Sequence, residues 1–159
     1  MVEIVRGDIA HAVEDIIGHL VNCKGIMGGS IAKQIKKEYP EAYSSYITLT
    51  NSEISLLGQV QFVQTNGKII ANLFGQKYYK SGILRKKQSC NKKALEQALV
   101  ELRHYAETHQ YSIALPYRMS FNRSGTECEE VLKMIERVFA HYPVTLYSII
   151  NLENHSEEQ

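Results

Sequence analysis

Cysteine is scarce in this chain of 159 residues, with only Cys23, Cys90 and Cys128. Their odd number and wide spacing fit neither a zinc site nor a CxxC pair. They read as reduced thiols, as expected of a cytoplasmic protein. Neither sign of charge dominates: the formal net charge is +1, which excludes a global pull toward nucleic acid or a membrane surface. No apolar run approaches the roughly 18 residues that span a bilayer. The N-terminus lacks the charged stretch and apolar run of a signal peptide, so no membrane partner is expected. Neither a Ser-His-Asp set nor metal-ligand spacing is visible, so no metal and no cofactor is expected. His11 and His19 have no carboxylate at a useful spacing and read as structural.

What is present is enough apolar material for a core: 44% of residues are hydrophobic, and the length suits one domain. That domain is expected over residues 1–152, with a polar, frayed tail over 153–159. Strand-like runs lie at Val2–Arg6, Gly18–Asn22, Gln59–Gln64, Lys68–Leu73, Tyr111–Leu115 and Val144–Ile150. Asn66-Gly67 predicts a hairpin between the third and fourth, since both residues accept positive φ. Helical periodicity runs from Asn91 to Thr108 and from Glu127 to His141. Thr126 and Glu129 form a capping box for the latter. Pro40 predicts the first turn of another helix, with Tyr43, Tyr46 and Ile47 inward. Strands alternating with helices predict an α/β fold with a mixed, mostly parallel sheet covered on both faces.

The segment from Val21 to Lys37, VNCKGIMGGSIAKQIKK, is the richest. A strand ends at Asn22, a loop holds Gly25, Gly28 and Gly29, and a helix begins at once. Glycines let a backbone approach an anion, and the first N–H groups of a helix point at it unpaired. The spacing is neither the Walker loop nor GxGxxG. Other polar or glycine residues also cluster at strand ends: Gly7-Asp8-Ile9, Gly75-Gln76 and Pro116-Tyr117. Ligands of open α/β sheets bind there. A phosphorylated small molecule is the expected ligand.

The motifs NCKGIMGGSIAKQIK, IANLFGQ and PYRMSFNRSG together resemble the macrodomain family, from about Val2 to Ile150. The likeness is to the bacterial and phage branch, near its ADP-ribosyl glycohydrolases and ADP-ribose 1″-phosphate phosphatases. It implies a three-layer α/β/α sandwich of about six strands and a site for ADP-ribose or an ADP-ribosylated substrate. By that resemblance Asp8 accepts from the adenine amino group and Ile9 offers its backbone N–H to the ring. Asn22 bonds the distal ribose. Met27, Gly28, Gly29, Ser30 and Ile31 supply N–H groups to the distal ribose and diphosphate, with Ser30 able to cap the helix where the branch has glycine. Phe74 lies near the adenosine, where an aromatic stacks on a base.

The third motif departs from the branch pattern PYGIGCGxxGGDW. Arg118, Ser120 and Asn122 replace glycines, Phe121 replaces the cysteine, and Met119 lies between. Side chains there either collide with the ligand or retune the pocket, and Arg118 or Arg123 would bring charge in place of backbone contacts. The resemblance also implies a lysine nucleophile after the fourth strand, and Lys77 lies close to that position. The matching acidic residue is missing near Ser124, while Glu127 reads as a helix-start residue. Catalysis is therefore left open at this point. The alternatives are a non-catalytic binder of an NAD-derived signal, or a nucleic-acid module using the basic, tyrosine-rich segment 77–93.

Overall fold

The computed structural model describes residues 1–52, 54–77, 90–119 and 125–149. The order is β1 (Val2–Arg6), a 3-10 turn (Ile9–His11), β2 (Ile16–Asn22), α1 (Ser30–Glu38), α2 (Pro40–Thr50), β3 (Val60–Gln64), β4 (Ile69–Gln76), α3 (Lys92–His109), β5 (Ile113–Pro116), α4 (Gly125–Val138) and β6 (Val144–Ser148). The six strands form one sheet in the order β1-β6-β5-β2-β4-β3. Every pairing is parallel except β3 with β4.

That exception is the expected hairpin, closed by the Thr65 N–H on the Lys68 carbonyl at 2.8 Å. Only Gly67 takes positive φ there, at 86°, so the doubly positive turn expected of Asn66-Gly67 is not the one formed. β2 starts two residues earlier than expected and β4 runs on through Gln76. Both are buried along their whole length, so unbroken apolar runs obscured their ends. α4 starts at Gly125, ahead of the expected capping box at Thr126. The tail 153–159 lies outside the described residues.

Alternation along each strand sends successive residues to opposite faces. Ile16, Leu20, Leu73, Leu115 and Leu146 pack under α3 and α4 with Leu99, Leu102 and Ile135. Ile17, Ile70 and Ala114 pack the other way, with Ile35 and Ala42 of α1 and α2. Further along that second face, Val21 and Phe74 meet Met27, Ala32 and Tyr46. The result is the expected α/β/α sandwich. α1 and α2, which follow β2, cover one face. α4, which follows β5, covers the other. β2 and β5 are neighbours, so the chain changes face between them. The crevice outside their carboxyl ends is a topological switch point.

Candidate functional site

At that crevice β2 turns into α1. The register with β4 shifts between Val21 and Asn22, and Cys23 N–H bonds the Gln76 carbonyl at 3.0 Å. The bulge turns the chain away from the sheet and begins the loop. α1 then starts with Gly29 as N-cap, at φ −73° and ψ 163°, and no side chain caps it. Ser30 is the first helical residue and exposed. The cap expected of Ser30 is thus not made, because the residue lies one position past the place where a hydroxyl reaches back. The opening N–H groups of α1 are left to another acceptor, with the positive end of the helix dipole behind them. Met27 is buried against Val21, Phe74 and Tyr46 and anchors the loop.

Asn22 does something other than face a ligand. It is 1% exposed. Its Nδ2 donates to the Ile26 carbonyl at 2.6 Å, while Oδ1 accepts from the Lys24 N–H at 3.0 Å and the Ile26 N–H at 3.4 Å. The Tyr46 hydroxyl of α2 lies 2.6 Å from the Asn22 carbonyl and 2.9 Å from Oδ1. The amide for which a ribose contact was implied is thus engaged in folding the loop. Phe74 is likewise engaged within the fold. It is fully buried against Tyr46, with ring centroids 5.9 Å apart, and offers no face to a base. Both sit on the crowded α2 side of the sheet, which sequence spacing alone did not reveal.

Asp8 closes β1 at the same end of the sheet. Its Oδ1 accepts from the Ala10 N–H at 3.0 Å and its Oδ2 lies 3.1 Å from His11 Nδ1. His11 Nε2 lies 3.7 Å from Glu38. His11 thus does have carboxylates beside it, contrary to the reading from spacing. The 3-10 turn folds residue 11 back over residue 8, and α1 ends nearby. The Asp8 side chain remains 37% exposed, so its carboxylate is open to a ligand, while Ile9 is buried in the core beneath.

Lys77 is exposed at the end of β4. The half-buried Cys23 thiol is pushed above its ordinary pKa by desolvation, with Lys24 and Lys77 pulling the other way. Both lysines therefore act on Cys23 electrostatically, Lys24 from within the loop and Lys77 from the end of β4. Arg118 is exposed after β5, but Met119 is 5% exposed and packs into the α3/α4 core, so its side chain is not a ligand group. Ser120, Phe121 and Asn122 lie outside the described residues, as does the basic stretch 78–89. Glu127 lies in the first turn of α4, as expected; it is buried and also accepts from the Cys90 N–H at 3.0 Å, joining α4 to the entry of α3. Among the described residues no group of three His, Cys, Asp or Glu side chains can hold a metal ion, and no helix is long and apolar enough to cross a membrane.

Tyr46 and Thr50, both in α2, are the residues set against the loop whose roles sequence reasoning missed. The helical spacing placed Tyr46 inward, but nothing in it named the partner of the hydroxyl. Gly25 takes φ +80°, and a Cβ there would sit 2.9 Å from Thr50 Oγ1. The loop is thus shaped by α2 as well as by its own glycines.

No family model matches the chain. It is 26% identical over 146 residues to a DNA ADP-ribosyl glycohydrolase of Mycobacterium tuberculosis, covering 90% of this chain and 40% of that protein. The chain therefore spans 40% of the length of the curated relatives it matches. Among solved structures, the macrodomain of Thermus aquaticus DarG superposes with a TM-score of 0.77 at 22% identity, over 93% of this chain and 98% of that one. A macrodomain protein from Streptomyces coelicolor gives 0.75 at 24% identity, over 93% and 99%. Thermosipho africanus DarTG in complex with ADP-ribose gives 0.73 at 17% identity, over 92% and 41%. The sheet order, the layering and these superpositions agree: the chain has the macrodomain fold.

Proposed function

We propose that this chain binds ADP-ribose, or an ADP-ribosyl group carried on a larger substrate, in the crevice between the ends of β2 and β5. The observation that carries the reading is the N-terminus of α1: Gly29 caps it without a side chain, at the switch point of a parallel sheet. A pyrophosphate fits that chemistry, being anionic and rich in acceptors. Asp8, with its exposed carboxylate, is the acceptor for the adenine amino group. The site includes Met27, Gly28, Gly29, Ser30 and Ile31 as backbone donors, with Ile9 beneath the base and Arg118 at the rim. The solved DarTG structure holding ADP-ribose supports the ligand class.

A second reading, hydrolysis of an ADP-ribosyl linkage, is favoured by the name of the curated relative and by the exposed lysine at the end of β4. In it the neutral amine of Lys77 attacks the distal ribose C1″ as the bond to the leaving group breaks and that group takes up a proton; water then cleaves the lysine–C1″ bond, freeing ADP-ribose and restoring the amine. The experiment is a calorimetric titration with ADP-ribose and, in parallel, its 1″-phosphate, followed by incubation with ADP-ribosylated oligonucleotide. Saturable binding of ADP-ribose is expected. Release of ADP-ribose by the parent but not by Lys77→Ala marks an enzyme, whereas binding without release leaves a binder. Failure to bind either nucleotide contradicts the proposal.

A further inference from the structure

We infer that Asn22 and Tyr46 form a brace that fixes the shape of the phosphate loop. The inference rests on the ligand reading above and deepens it. Two observations converge on the brace. Asn22 is buried, and both ends of its amide are engaged within residues 22–26 or by Tyr46. Tyr46 is fully buried in α2 and reaches both the carbonyl and the side chain of Asn22. Burial raises the Tyr46 phenol pKa, against the backbone amides of Gly25 and Ile26, which lower it.

The phenol therefore ties α2 to the start of the loop through both oxygens of Asn22. Thr50, one helical turn along α2, blocks any side chain at residue 25. The loop can open only by breaking several buried hydrogen bonds together, each costly to leave unmade. A loop held this way presents its amides in one arrangement, and ligand binding need not order it. Tyr46 acts through Asn22 and is a positioning residue.

Two nucleotides separate the brace from a ribose contact. ADP carries the adenosine and the diphosphate but not the distal ribose. If Asn22 braces the loop, Asn22→Ala and Tyr46→Phe weaken ADP and ADP-ribose by the same factor, about tenfold, equivalent to one buried hydrogen bond. If Asn22 reads the ribose, Asn22→Ala weakens ADP-ribose alone, and the inference is overturned.

Amide hydrogen exchange tests the brace without ligand. Tyr46→Phe is expected to speed exchange at Lys24 and Ile26 while the amides of α3 keep their protection. Unchanged exchange at Lys24 and Ile26 overturns the inference. Should Tyr46→Phe fail to fold, Asn22→Ala gives the same exchange readout at these two amides. A parent protein that binds neither nucleotide sinks the ligand reading, and the exchange result still decides the brace.

Discussion

The strands β2, β4, β5 and β6 bury Leu20, Leu73, Leu115 and Leu146 under α3 and α4, where the polar bonds include those from Cys90 to Glu127 and from Arg103 to the Val138 carbonyl. The opposite face of β2 and β4 buries His19, Asn72 and Asn22 among Ile17, Ile70 and Phe74. Here His19 Nε2 lies 2.7 Å from Asn72 Oδ1, and Asn72 Nδ2 reaches the Gln61 side chain at 3.0 Å and the Ala42 carbonyl at 3.3 Å. Asn72 Nδ2 donates to both of those oxygens, so its Oδ1 is the acceptor and His19 Nε2 carries the proton. The first face is built like a core. The second fixes α2 in register by polar bonds, and α2 in turn holds the loop. Stability and site precision are thus divided between two faces of one sheet.

The sharpest break of that comparison is Leu102→Ala on the apolar face. Leu102 is fully buried, so truncation should cost about 2–5 kcal/mol in unfolding free energy. Affinity for ADP-ribose per folded molecule should stay within twofold of the parent. A parallel loss of affinity would show that the two faces are not separable.

Acid should attack the other face first. Burial lowers the His19 pKa from 6.5 to about 4, with its bond to Asn72 opposing. The unfolded chain then binds the proton more readily than the folded one, so stability is full above pH 6.5 and falls toward pH 4. The loss over that window should be roughly 3 kcal/mol, following the size of the shift. Denaturant melts across the window check it, with His19→Leu expected to flatten the slope. Equal slopes in variant and parent would remove His19 from the account.

Gly28→Glu places an anion beside the opening of α1 and should weaken ADP-ribose at least a hundredfold, about 2.7 kcal/mol, with melting temperature little changed. A folded variant of normal affinity would take the loop out of the site. The smallest effect belongs to Asp8→Ala, expected to cost about tenfold in adenine-nucleotide affinity and to narrow the preference for adenine over hypoxanthine. Identical affinities would leave Asp8 as a turn residue that holds Ala10 and His11.

Most of the fold was legible because periodicity reports burial directly. Leu95, Ala98, Leu99, Leu102 and Ala106 recur at helical spacing and all lie buried in the core against the sheet. The loop between β2 and α1 was legible from its glycines and the helix behind it. What was not legible are contacts made at a distance along the chain. Asn22 finds Tyr46, His19 finds Asn72, and Glu127 finds the amide of Cys90. Each pair joins elements whose relative placement only the folded sheet decides. Phe74 shows the same limit, since an aromatic at a strand end packs or stacks depending on what covers it, and here α2 covers it.

The most direct measurement follows the backbone amide resonances of Ser30, Ile31 and Ala32 while ADP-ribose is added. Large, saturable shifts at these three amides, absent from the α3 amides, are predicted. Binding of ADP-ribose with those amides unmoved would contradict the claim that the start of α1 receives the pyrophosphate.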